Sequence, residues 1–524
     1  MARLNVKDLL LARKLTPRQV TSLLSPYGFK DNEKADANLQ EMADDPRNRQ
    51  ILAEILEELL TCLSQSADPD RALNHLERFT KAVLNKTNLF SYLKGSPRTL
   101  ELLAKTFGAS PFMAEILIRD PEYLYWVSDS RVLHRERKLK EIERDLSGAL
   151  KNIRTHEKKL DILRIFKRKE ILRIGVRDLL KLSGVEETVA SLSILAAALI
   201  QKAYEICEAS VRKENKILLR KSSSGRKTCA GFTILGMGKL GGGELNFSSD
   251  VDLIYLYASD REKVSAYYFK PLAQKITAAL SEITNEGYVY RVDLRLRPEG
   301  KQGGIASSLN GFKQYYAARG STWERMALIK TWPVAGDRTL GMKFLSMARP
   351  FIYDQPLDSQ AVDEIKKIKG KIDQKISSRE QTHRNVKLGF GGIREIEFIV
   401  QSFQLCSGKK SPKLRERNTM KALQAVLEHE LLSEEEHRSL SEAYLFLRDV
   451  ENKLQMVNDF QTHALPTDEK ELRDCALRLG YQDTEKETAA ARFLKDYHFH
   501  TNRVNGIFQA VFYSSAPSRL IRHV

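Results

Sequence analysis

Apolar residues return every three to four positions along most of the chain, the period of a helix with one buried face. Ile51, Leu52, Ile55, Leu56, Leu59 and Leu60 set the pattern early. Thr16-Pro17-Arg18-Gln19 combines an N-cap, a first-turn proline and a capping-box glutamine. Ser96-Pro97 and Ser110-Pro111 repeat the start signal, and Pro121 is placed to stop the helix begun at Pro111. Tyr123, Tyr125 and Trp126 follow; packing between helices accounts for them more simply than a partner-docking surface. Residues 221–228, polar and glycine-containing, read as a linker.

Beyond the linker the period changes. Residues 231–236, 252–257 and 288–297 are short β-branched or aromatic runs. Between the second and third lies an amphipathic segment, 267–283, with Leu272, Ile276, Leu280 and Ile283 on one face. Strand, turn, strand, helix, strand in that order predicts an α+β domain, its last strand ending at Pro298. From about residue 341 the helical period returns, interrupted by a glycine turn at 389–392 that feeds a further helix. Tyr444, Leu445, Leu447, Val450, Leu454 and Val457 form a late apolar stripe. The expected fold is mainly α, with a helical region at 1–225, an α+β domain at 226–340 and a helical bundle at 341–524.

Composition narrows this picture. Apolar content of 42% and charged content of 29% over 524 residues fit globular domains. Cys62, Cys207, Cys229, Cys406 and Cys475 are scattered and odd in number, which argues against a disulfide framework or a zinc site and for a reducing compartment. No apolar stretch has signal-peptide form at the start, and the richest run, 194–200, is too short to span a bilayer. A cytoplasmic protein without membrane contact is expected. The net charge of +17 concentrates between about Arg131 and Lys227. There Lys and Arg alternate with Glu among Leu and Ile, the pattern of solvated helix faces rather than of a nucleic-acid stripe.

The chemistry lies in GMGKLGGGELNFSSDVD, residues 236–252. A glycine turn leads to Asp250 and Asp252, spaced i, i+2 at the mouth of a strand, where alternation puts both carboxylates on one side. Mg²⁺ takes one or two protein carboxylates and leaves its other positions to phosphate and water. Asp293, within Arg291-Val292-Asp293-Leu294-Arg295-Leu296-Arg297, is the natural third carboxylate. Alternation would place it with Arg291, Arg295 and Arg297 on one strand face, as a phosphate-holding set or a plain charge ladder. Gly238, Gly241 and Gly242 would let backbone N–H groups approach a phosphate, with Lys239 as a point charge and Ser248 and Ser249 either as donors or as turn residues. The spacing matches neither a P-loop nor a dinucleotide fingerprint. Glu397, on or beside an apolar helix stripe, needs a partner: Arg394, another domain, or the nucleotide site. Trp323-Glu324-Arg325 reads as packing of the α+β domain against helices.

On these residues the chain resembles the bifunctional glutamine synthetase adenylyltransferase/adenylyl-removing enzyme family, within the polymerase-β-like nucleotidyltransferases. The similar segments are residues 236–257, YRVDLRLRP at 290–298, WERMALIK at 323–330, GFGGIREIEFIVQ at 389–401 and YLFLRDVENKLQMVND at 444–459. FMAEILIRDPEYLYW at 112–126 is similar to the family's N-terminal helical region. Such enzymes carry two nucleotidyltransferase units; here one Asp-x-Asp unit is found, and GGGELNFSSD resembles the adenylyl-removing half. The resemblance implies Asp250, Asp252 and Asp293 as catalytic metal ligands for Mg²⁺ or Mn²⁺. It also implies ATP, ADP or AMP as nucleotide, and inorganic phosphate as the agent that removes AMP from a tyrosine. Glutamine synthetase is the implied partner, with a PII-type signalling protein and a separately encoded second half as further candidates. Carboxylate geometry does not separate removal from ATP-dependent addition. A nucleic-acid nucleotidyltransferase and a non-catalytic signalling module stand as alternatives from other classes.

Overall fold

The structure, a computed structural model, describes residues 4–215, 220–221, 227–228, 231–258, 265–355, 357–513 and 520. Most of the expected linker and Cys229 lie outside these residues. The fold is mainly α with a small mixed sheet. It divides into two compact units: Met1–Glu136 with Arg168–Thr188 and Asn452–Lys495, and Arg137–Lys167 with Val189–Glu451 and Asp496–Val524.

In the first unit the start signals work as read. Thr16 and Gln19 form the capping box of the helix Pro17–Leu24. The helices Pro97–Ala109 and Pro111–Arg119 begin at their prolines, and the second ends before Pro121. Leu52, Ile55, Leu56, Leu59 and Leu60 bury one side of Pro46–Ser64. Tyr125 packs edge-on against Tyr92 and the Lys169 ammonium lies 4.3 Å from the Trp126 ring centroid, while Tyr125 stays exposed and Tyr123 and Trp126 are half-buried.

The basic stretch departs from its expected solvated faces. Within His156–Leu179, Arg164, Lys167, Arg173 and Arg177 are buried. Arg173 pairs with buried Glu170 at 2.9 Å, and Arg177 pairs with Glu187 and donates to the Leu133 carbonyl. The buried carboxylate of Glu170, the partly exposed one of Glu187 and the Leu133 carbonyl hold these two guanidinium groups, so part of the basic stretch is internal and paired. The following helix, Val185–Asn215, is apolar and long enough to cross a membrane by length and composition, yet 61% of that window is buried inside the protein, as in a core helix. Cys62, Cys207, Cys406 and Cys475 are free thiols.

The second unit holds the sheet: β1 (Phe232–Gly236), β2 (Val251–Tyr257), β3 (Val292–Asp293), β4 (Ala306–Ser308) and β5 (Trp332–Gly336). β1 pairs antiparallel with β2 on one side and β5 on the other. The far edge of β2 is shared: its start pairs parallel with β3 and its end parallel with β4. Helix Lys270–Ser281 buries Leu272, Ile276 and Leu280; Ile283 falls beyond its end and is exposed.

Two features differ from the sequence reading. The run 288–297 forms only the two-residue β3, because the chain turns after Asp293 and Arg297 donates to the carbonyls of Leu294 and Gly303. Arg291, Asp293, Arg295 and Arg297 therefore do not share one strand face. β5 was hidden by Pro333, which lacks a ladder donor and is tolerated on this edge strand.

Candidate active site

The register of the sheet sets the site. Asp252 and Asp293 are Cα partners across the β2–β3 pair, and Asp250 immediately precedes β2. The glycine segment winds into one short helical turn, Gly238–Gly242, and the Met237 N–H donates to the Asp252 carbonyl at 2.9 Å. Gly238 has φ +52°, and a Cβ there would lie 3.1 Å from Asp252 Oδ2, so the backbone passes directly over that carboxylate.

Burial, then the charge of Asp293, push the Asp252 carboxyl up to about 6, with Asp250 adding to the shift against the opposing pull of Lys387. The outer two carboxylates are held by arginines. Arg291 Nε donates to Asp250 Oδ1 at 2.7 Å, while its Nη2 donates to the carbonyl and hydroxyl of Ser248 at 2.8 and 3.0 Å. Arg295 meets Asp293 through Nε at 2.8 Å and Nη2 at 2.5 Å. Burial would raise the Asp293 carboxyl, but the Arg295 contacts outweigh it and hold it below the ordinary aspartate value. Ser249 Oγ accepts from the Asn246 N–H at 3.3 Å, a turn role. Arg297 braces the loop after β3 rather than reaching Asp293.

Among the described residues no three His, Cys, Asp or Glu side chains converge closely enough to hold a metal ion in this arrangement. The donor chemistry nevertheless suits a divalent cation. Two hard-oxygen carboxylates face each other across adjoining strands with Asp250 just ahead of β2, and their mutual repulsion is what such an ion would relieve.

A buried ionic network missed by the sequence reading fixes the glycine turn. Lys330 Nζ donates to Glu244 Oε2, Glu397 Oε1 and Thr419 Oγ1, each at 2.8 Å. Burial alone would lower Lys330 and raise Glu397; their attraction overturns both, holding the lysine above and the glutamate below its ordinary range. Glu397 also meets Arg394 at 3.5 Å. Glu397 thus pairs both with Arg394 of its own helix and with Lys330. Arg417 donates to the Gly241 carbonyl and stacks on Trp332, 4.4 Å from the ring centroid, while Arg448 donates to the Glu244 carbonyl. A Cβ on Gly241 would lie 1.8 Å from the Lys330 carbonyl oxygen. Lys239, expected as a phosphate contact, donates instead to the fully buried Glu451 at 2.7 Å. Burial brings its ammonium down to about 7 despite that partner. Nothing in the local spacing of WERMALIK signalled that its lysine would be the hub; only the tertiary placement of Glu244 and Glu397 does. Glu324 caps its own helix, and Arg325 donates to the carbonyls of Ile352 and Gln355, as expected of packing residues.

Residues 100–347 match the family described as Glutamate-ammonia ligase adenylyltransferase, and residues 366–512 match GlnD PII-uridylyltransferase. A curated protein of Nitrosococcus oceani, named bifunctional glutamine synthetase adenylyltransferase/adenylyl-removing enzyme, is 38% identical over 449 residues, covering 84% of this chain and 45% of its own. Proteins of the same name from Xanthomonas campestris pv. campestris (strain B100) and Stenotrophomonas maltophilia (strain K279a) are 42% and 40% identical. They cover 61% and 59% of this chain and 34% of theirs. The chain thus spans about half the length, or less, of the curated relatives it matches.

Proposed function

For a chain that belongs to the glutamate-ammonia ligase adenylyltransferase family, we propose regulation of glutamine synthetase by metal-dependent adenylyl transfer, in the direction of phosphorolytic removal of AMP from a tyrosine. The observation that carries this reading is the Asp252–Asp293 register with Asp250 alongside and the glycine turn laid over Asp252. In removal, a phosphate oxygen attacks the adenylyl phosphorus, the bond from phosphorus to the tyrosine oxygen breaks, tyrosine regains its proton, and ADP leaves. Asp250, Asp252 and Asp293 would hold Mg²⁺ or Mn²⁺, which supplies positive charge to the phosphate oxygens when bound. Arg291 keeps the Asp250 loop in place. Arg295, two-thirds exposed on Asp293, is the guanidinium free to exchange a carboxylate for a phosphate oxygen. Lys330, Glu244 and Glu397 keep the Gly238–Gly242 turn rigid against β2.

Removal rather than addition is supported by the resemblance of GGGELNFSSD to the removing half. The second reading, ATP-dependent adenylylation, is supported by the relatives' names, which carry both activities. Three domains at 1–225, 226–340 and 341–524, a cytoplasmic location, a PII-type partner and a separately encoded second half complete the proposal; the match of residues 366–512 supports the PII connection. The test is incubation with adenylylated glutamine synthetase, phosphate and Mg²⁺, and separately with unmodified glutamine synthetase and ATP. ADP release in the first alone supports removal; pyrophosphate release in the second alone replaces it with adenylylation.

A further inference from the structure

Lys387 sits on the loop that enters the helix Ile393–Ser407, and the backbone on either side of it is fixed. Asn385 Oδ1 accepts from the N–H groups of Lys387 and Leu388 at 3.2 and 2.8 Å. The carbonyls of Val386 and Lys387 accept from Ile393 and Arg394 at 3.0 and 2.9 Å. Gly391, at φ +62°, lies so close to the Thr501 carbonyl that a Cβ would meet it at 1.8 Å. The loop therefore presents Lys387 in one place.

That place is charged and crowded. Arg394, whose N–H donates to the Lys387 carbonyl, pairs with Glu397 at 3.5 Å. Glu397 in turn pairs through Lys330 with Glu244, at the end of the glycine turn that lies over Asp252. Arg394, Glu451, Glu397 and Asp252 are the charged groups facing Lys387. Two of the three acids are already taken: Glu451 by Lys239 and Arg448, Glu397 by Lys330 and Arg394. Asp252 belongs to the carboxylate trio. Among the described residues the Lys387 ammonium makes no hydrogen bond or ion pair. A partly buried ammonium without a partner is completed by an anion.

We propose that Lys387 binds an oxygen of the phosphate dianion that enters beside Asp252, making this corner the anion subsite of the centre. The inference rests on the adenylyl-transfer reading and adds to it the residue that takes the phosphate co-substrate. The same chemistry has two sources, free phosphate in removal and the polyphosphate end of ATP in addition. A lysine serves either as a point charge.

The test uses the full chain with Mg²⁺ and the variants Lys387→Met and Lys387→Arg. The readouts are phosphate KM for ADP release from adenylylated glutamine synthetase, ATP binding by calorimetry, and thermal unfolding. Lys387→Met is expected to raise the phosphate KM or weaken ATP roughly ten- to a hundredfold, the loss of one charge-assisted hydrogen bond. Lys387→Arg, which keeps the charge but not the shape, stays within about tenfold of the native chain. Lys387→Met melts no lower than the native chain, because a partly buried charge with no partner is removed; a structural lysine would give the opposite. A change in phosphate KM alone assigns free phosphate, and a change in ATP affinity alone assigns the nucleotide. An active native chain whose Lys387→Met variant keeps both constants overturns this inference and leaves the adenylyl-transfer reading standing. A native chain that neither uses phosphate nor binds ATP overturns both.

Discussion

Replacing Lys330 by Met removes the hub of the network that pins the glycine turn while keeping most of the side-chain volume. Lys330 is 5% exposed, and its ammonium makes three contacts of 2.8 Å to Glu244, Glu397 and Thr419, all themselves buried. Removing one partner of a buried ion pair costs about 3–5 kcal/mol, because the charge left behind is uncompensated. Here two carboxylates lose their shared cation and only Glu397 keeps a second one, Arg394 at 3.5 Å, so a loss of about 4 kcal/mol is expected. The pH dependence adds a second signature. Glu397 is held below its ordinary range, so its contribution is present above the unfolded glutamate pKa and is lost only as pH falls through the lower folded value. Lys330 is held above its range, so its contribution is present below the unfolded lysine pKa and is lost only as pH rises through the higher folded value. The native network is thus intact from mildly acidic to mildly alkaline pH. In the variant the stranded carboxyls titrate upward and take up protons on folding as pH falls, so the deficit should shrink from pH 8 to pH 5. Urea unfolding followed by tryptophan fluorescence reports it, since two of the three tryptophans, Trp323 and Trp332, lie in the unit that contains the network. A deficit under about 1 kcal/mol at pH 8, the size of an exposed pair, or one that does not change with pH, refutes the reasoning.

Asp252→Asn should lower turnover at least about a hundredfold, as loss of a group acting on transition-state charge does, without lowering the melting temperature, because it removes a carboxylate buried against Asp293 and Asp250; a clear drop in melting temperature would assign Asp252 a structural role. Arg295→Ala frees Asp293 from its competing cation and should strengthen Mn²⁺ binding about two- to fivefold by calorimetry, the scale of an exposed ion pair; unchanged binding would take Asp293 out of the metal set. Gly241→Ala, with its Cβ driven to 1.8 Å from the Lys330 carbonyl, should cost about 1–3 kcal/mol or more. Gly148→Ala, in the helix Leu139–Leu150 with open space around it, should instead stabilise by about 0.4–1 kcal/mol, and melting temperatures separate the two.

The sequence disclosed what depends on local chemistry. The capping box at Thr16, the proline-led helices at Pro97 and Pro111, and the strand after Asp250 follow from residues within a few positions of each other. Asp252 and Asp293 were paired by residue type, and the parallel register places them side by side. What depends on long-range contact was not legible. The run 288–297 alternates like a strand, but the guanidinium of Arg297 finds carbonyls in the following loop and the chain turns after Asp293. Lys239 was read as a phosphate ligand because its spacing from the glycines is local, whereas its partner Glu451 lies 212 residues away. Lys330, Arg417 and Arg448 carry no local signal, since each acts on the glycine turn only after the helical segments have folded back on it. The buried arginines of His156–Leu179 escape a local reading for the same reason: alternating charge on a helix does not reveal that Glu170 is buried with Arg173 or that Glu187 of the next helix reaches Arg177.

In the proposed reaction Asp250 and Asp252 carry adenylyl transfer on glutamine synthetase. The most direct measurement is ADP release from adenylylated glutamine synthetase at saturating phosphate and Mg²⁺, comparing the native chain with Asp250→Asn/Asp252→Asn. Phosphate-dependent ADP is expected from the native chain and none above background from the variant. ADP release by the variant at the native rate would contradict it.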